Sequence, residues 1–107
     1  MKVPVGWLRE FASFTVEPAR LAEDLTLAGL AVDGIEGQGD GAVLDLDITT
    51  NRVDCMNVYG VAREVSVLYG TALRPLPVDI REEGPPASVA WRIDIEAPDL
   101  CPRFCGR

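Results

Sequence analysis

The sequence predicts a small α+β domain: three short helices on a compact antiparallel sheet, followed by a linker and the first strand of a further domain. Three observations lead there. Apolar residues recur at helical spacing in three stretches. A strand-like alternation runs through residues 42–49, with Leu44, Leu46 and Ile48 on one face and Val43, Asp45, Asp47 and Thr49 on the other. A glycine-rich loop, EGQGDG, separates that strand from a second extended piece at residues 30–36, so the two are placed to close a hairpin.

Taken in order, Lys2 to Pro4 is an extended start, because Pro4 biases Val3 away from helical geometry. Val5 to Phe14 carries Trp7, Leu8, Phe11 and Phe14 at the spacing of a helical face, and Trp7 and Phe11, four apart, are expected to stack. The next helix opens at Glu17-Pro18, where proline loses nothing by lacking an N–H. Leu21, Leu25 and Ala28 form its buried stripe, and Gly29 ends it as a left-handed C′ residue with Leu30 packing behind. After the hairpin comes TTNRVD, a polar turn whose side chains bond their own backbone. Asp54 is expected to cap the third helix, whose face is Tyr59, Ala62, Val65 and Tyr69, widened by Val58, Val61 and Leu68 and closed by Gly70.

Residues 71–88 hold four prolines and no lasting period, which reads as a linker. The alternation resumes in VAWRIDIE, predicting a strand over residues 89–96. A lone strand needs partners that the remaining residues do not supply, so the sequence reads as the opening of a longer chain. The expected core is Trp7, Leu8, Phe11, Leu21, Leu25, Leu44, Leu46, Ile48, Val65 and Leu68.

Composition narrows the chemistry. At 48% hydrophobic and 25% charged, the 107 residues are those of an ordinary globular protein. No apolar run reaches the roughly 18 residues of a membrane span. Arg9 and Glu10 fall where a signal peptide would be apolar, so Met1 is expected to be the true start of a cytoplasmic protein. A net charge of −7 argues against direct contact with nucleic acid. The absence of histidine removes the usual general base and imidazole ligand, and leaves the serines and threonines without an activating partner. Cys55, Cys101 and Cys105 fit neither a disulfide framework nor a metal knuckle and are expected to be inert thiols, with Arg103 the one group able to stabilise a thiolate near the last two. Asp45 and Asp47 share a strand face, but two carboxylates are too few for a hard cation, so a solvated face is expected. Asn51, Arg52 and Asp54 are expected to build a structural corner: an Asx-type turn, a carboxylate tie and a helix cap.

Four motifs, in this order, carry a resemblance: MKVPVGWLREF, LAEDLTLAGLAVDGIE, LDLDITTNRVDCMNVYGVAREVSVLYG and APDLCPRFCGR. The chain resembles the N-terminus of the β subunit of bacterial phenylalanine–tRNA ligase over nearly its whole length. The family's patterns are MKVSxxWLKEY, an LTxAGxEV helix end, TPNRxDC followed by GxAREV, and a PELCPRY-like entry to the next domain. Thr49, Asn51, Arg52 and Asp54 fall in the family's most identifying turn, with Thr50 where relatives have proline. An oligonucleotide-binding barrel domain usually sits between the AGxEV helix end and the LDLDIT strand; here only GQGDGA spans the gap.

The resemblance implies a non-catalytic structural module at residues 1–72 with a winged-helix-like shape, a linker at 73–88, and at 89–107 the truncated start of an editing-type domain. It implies that the whole enzyme is an α₂β₂ cytoplasmic ligase that joins phenylalanine to tRNA(Phe) using ATP and Mg²⁺, with an α subunit as partner. It places no catalytic, cofactor-binding or metal residue in these 107 positions. With the barrel missing and the charge acidic, direct tRNA contact is not expected of this stretch. The alternative is a stand-alone module, derived from that subunit, that binds protein or nucleic acid without catalysis.

Overall fold

The computed structural model describes residues 1–104 and gives a sheet of three strands with helices packed on it. Strand β1 (Lys2–Pro4) leads directly into helix α1 (Val5–Phe11). Helix α2 (Pro18–Leu27) carries proline in its first turn and ends at Gly29, whose φ of 93° only glycine adopts without strain. Strands β2 (Ala31–Glu36) and β3 (Val43–Asp47) follow, joined by a 3₁₀ turn at Gly39–Gly41. A second 3₁₀ turn, Val53–Cys55, precedes helix α3 (Val58–Leu68).

The sheet order is β1-β3-β2, all antiparallel. The chain's first strand thus lies on the far side of β3 from its hairpin partner. Val3 sits opposite Leu44, and Ile35 opposite Leu44 on the other side, with a bulge between Val32 and Gly34. The terminal ammonium of Met1 donates to the Leu46 carbonyl and pairs with Asp45 at 3.3 Å. Period-two alternation on β3 buries Leu44 and Leu46 fully, as the pattern predicts.

The core gathers Val3, Val5, Leu8, Leu21, Leu25, Leu30, Leu44, Leu46, Cys55, Val61 and Val65, each at most 1% exposed. Phe11 and Ile48 pack against it from the margin. Two expected core residues lie outside. Trp7 is 51% exposed and Leu68 38% exposed. In a seven-residue helix only a narrow face is buried, and Val5 and Leu8 take it. Phe11 turns instead to Tyr59, edge to face at 5.3 Å, and so ties α1 to α3.

Residues after α3 return to α1. Leu73 bridges to Ala12, and the Arg74 amide donates to the Phe11 carbonyl at 2.7 Å. Met1–Pro77 forms one compact unit, and residues from Val78 form a second. The strand expected over residues 89–96 is not formed. Ala87–Ala90 makes one helical turn, α4, and residues 91–95 have no strand partner among the described residues. Alternating side chains become a strand only when a neighbouring backbone takes up the hydrogen bonds. Among the described residues no helix is long and apolar enough to cross a membrane.

Candidate functional site

The turn between β3 and α3 gathers four charged side chains, Arg52, Asp54, Arg63 and Glu64. Its backbone is set by short local bonds: Arg52 N–H to the Thr49 carbonyl at 2.9 Å and Cys55 N–H to the Arg52 carbonyl at 2.9 Å. This coil turns the Arg52, Asp54 and Cys55 side chains toward the first turns of α3. Arg52 grips Asp54 with two donors, Nε to Oδ1 at 3.2 Å and Nη2 to Oδ2 at 3.3 Å. The same Nη2 reaches Glu64 Oε1 at 2.9 Å and Cys55 Sγ at 3.0 Å. Arg63 closes the group from outside, its Nη2 donating to Asp54 Oδ2 at 2.7 Å.

Two guanidinium groups on one carboxylate make the anion the favoured form. The Arg52 hydrogen bonds hold the Asp54 carboxyl down at about 2, against burial that opposes them. Burial first, and then the Asp54 contact, pushes the Cys55 thiol above its ordinary range, so it stays protonated at neutral pH.

Asp54, Cys55 and Glu64 bring one ligand atom each to within 4.8 Å of one another, the spacing a metal ion would use. A cation already holds that place: the Arg52 guanidinium bonds all three. With the thiol protonated as well, the donor set does not fit a metal unless Arg52 leaves.

The helix cap differs from the expected one. Asn57, not Asp54, caps α3, its Oδ1 accepting from the Gly60 N–H at 2.8 Å. Asparagine matches aspartate as an N-cap, and the 3₁₀ turn moves the helix start three residues on. Asp54 is thereby free for the arginines. Gly60 allows the close approach this requires. A Cβ there would lie 1.8 Å from the Asp54 carbonyl oxygen.

Of the turn residues named from sequence, Arg52 and Asp54 are brought together, Thr49 supplies a backbone acceptor, and the Asn51 side chain stays at the exposed rim. Sequence reasoning missed Arg63, Glu64 and Asn57. The first two lie within α3, Arg63 nine residues beyond Asp54 and Glu64 twelve beyond Arg52, where the reach back to the corner depends on the turn geometry.

The other candidates separate. Asp45 is held by Lys2 at 3.1 Å and by the terminal ammonium, whose hydrogen bonds lower its pKa, while Asp47 is exposed. Cys101 is exposed, with its Sγ 3.7 Å from the Arg103 carbonyl. Cys105 lies outside the described residues.

No family model matches the chain. Curated relatives do. It is 33% identical over 107 residues to a protein of Rhodopirellula baltica named phenylalanine--tRNA ligase beta subunit, a match that covers all of this chain and 16% of that protein. A beta subunit of the same name from Nitratidesulfovibrio vulgaris is 44% identical over 87 residues, 81% of this chain and 11% of the relative. One from Cupriavidus pinatubonensis is 36% identical across 99% of this chain and 14% of its own length. The chain therefore spans less than a fifth of the length of the relatives it matches.

Proposed function

The chain is homologous along its whole length to a stretch of phenylalanine–tRNA ligase beta subunits, and from that premise we propose that it is a structural, non-catalytic module of such a subunit. The observation that carries this reading is the corner itself. The charged groups of its most identifying motif are spent on one another: Arg52 on Asp54 and Glu64, Arg63 on Asp54. Groups committed in this way set the angle between β3 and α3. A catalytic group needs a free proton, lone pair or metal.

On this reading residues 1–72 are the module, the linker of 73–88 begins with residues 73–77 still packed in the module's compact unit, and 89–107 are the entry to an editing-type domain. The whole enzyme is a cytoplasmic ligase that joins phenylalanine to tRNA(Phe). Its ATP and Mg²⁺ are handled elsewhere, in company with an α subunit. Contact with tRNA is left to other parts of the enzyme, in keeping with the net charge of −7. The Rhodopirellula match runs 107 residues against a chain of 107. A match of that length leaves no room within it for a barrel-sized insertion.

The test is a transplant. The matching 107 residues of the Rhodopirellula beta subunit are replaced by this chain, and the chimera is co-expressed with its α subunit. Co-purification as a stable complex that charges tRNA(Phe) is the expected result. A chimera whose grafted module folds but which fails to assemble overturns the reading.

A further inference from the structure

Where the segment after α1 meets the segment after α3, a concavity has no part in the proposed architecture. It is an open pocket of about 480 Å³, lined by Arg9, Ser13, Thr15, Thr71, Arg74 and the stacked pair Phe14 and Tyr69. Its floor is aromatic: the Phe14 and Tyr69 rings lie 5.9 Å apart and 24° from parallel, and the Arg9 guanidinium sits 5.1 Å from the Phe14 ring centre. An aromatic floor with a few polar groups on the wall is the usual make-up of a small-molecule site.

The charge of the wall runs against that of the chain. The chain carries −7 overall, yet the charged residues lining this pocket are two arginines and no carboxylate. Arg74 stands out within Met1–Pro77. Lys2, Arg9, Arg20, Arg52 and Arg63 each have a carboxylate within 4 Å, and Arg74 alone has none among the described residues. Arg74 is nonetheless held in place. Its Nη1 donates to the carbonyls of Arg9 and Glu10 at 3.2 and 3.1 Å, and its Nη2 to Ser13 Oγ at 2.8 Å. These bonds leave part of its five-donor fork unused. Thr71, on the same wall, adds a buried hydroxyl with no hydrogen-bond partner among the described residues. A fixed guanidinium with no carboxylate partner among the described residues, on the same wall as an unpaired hydroxyl, is suited to receive an oxyanion.

We propose that this pocket binds an oxyanion, phosphate or carboxylate, carried on a small flat apolar group, with Arg74 and Thr71 on the anion and Phe14 and Tyr69 under the apolar part. The inference stands apart from the architectural reading and fails separately from it.

The experiment titrates the chain with inorganic phosphate, phenyl phosphate and phenylacetate, following the backbone amides of Ser13, Thr71 and Arg74 by NMR. Saturable shifts confined to the pocket are expected, with dissociation constants on the order of 1 mM for the phenyl compounds and weaker for bare phosphate. Tighter binding of phenyl phosphate or of phenylacetate identifies which oxyanion the site takes. Arg74→Gln should weaken binding at least tenfold, while Arg81→Gln, which removes the same charge elsewhere, should not. Because Arg74 also holds the end of α1, Thr71→Val gives a second variant that breaks no existing bond and should weaken binding several-fold. Shifts that never saturate, or that respond equally to Arg74→Gln and Arg81→Gln, overturn the proposal.

Discussion

Arg52 donates to Asp54, Glu64 and Cys55 together, and the corner between β3 and α3 depends on that one side chain. Asp54 gives the group a measurable pH signature. Its folded pKa is depressed from 3.8 to about 2, so its contribution to stability is full above the unfolded value and is lost as pH falls through the folded one. The melting midpoint should therefore drop between pH 3.8 and 2, and Asp54→Asn should remove that component. The variant should melt below the parent at neutral pH and converge with it near pH 2. Parallel curves for the two proteins would mean that Asp54 is not ion-paired in solution. Gly60 is the second decisive residue. Gly60→Ala places a methyl group where the Asp54 carbonyl stands, and a backbone atom cannot step aside as a side chain would. The expected loss is about 3 kcal/mol, read from chemical denaturation. A near-neutral result would show that the helix can slide away from the turn.

The elements were legible in sequence where a pattern of period two or 3.6 was tied to one buried face. Leu44 and Leu46 on β3, Leu21 and Leu25 on α2, and Val61 and Val65 on α3 all sit where their spacing puts them. The hairpin was legible too, because glycines cluster between two alternating runs. What escaped depended on distances in space. Trp7 reads as core by spacing, yet α1 is too short to bury two faces. Asp54 and Asn57 are both good N-caps, and the choice between them is made by the 3₁₀ turn at Val53–Cys55. The pair of Arg52 with Glu64 joins residues twelve apart and follows only once that turn exists. At this scale two substitutions test the assignments. Asn57→Ala should cost about 1 kcal/mol as a lost cap. Leu46→Ala should cost about 3 kcal/mol, because Leu46 is 1% exposed at the centre of the sheet. A loss from Asn57→Ala too small to measure would return the capping role to Asp54.

Across the whole molecule, Met1–Pro77 is knit together from distant parts of the chain. The first residue pairs with β3, α1 with α3 through Phe11 and Tyr59, and the segment after α3 with the end of α1. On the proposed reading the corner is architectural, so its variants should alter how much enzyme assembles rather than how fast assembled enzyme works. The most direct measurement is the rate of tRNA(Phe) charging per assembled complex, in the Rhodopirellula chimera, for the unmodified graft and for Asp54→Asn. Asp54→Asn should give a smaller yield or a lower melting point, with an unchanged rate per assembled enzyme. A variant that assembles and melts like the unmodified graft but charges tRNA far more slowly would contradict the architectural reading and place the corner in the chemistry.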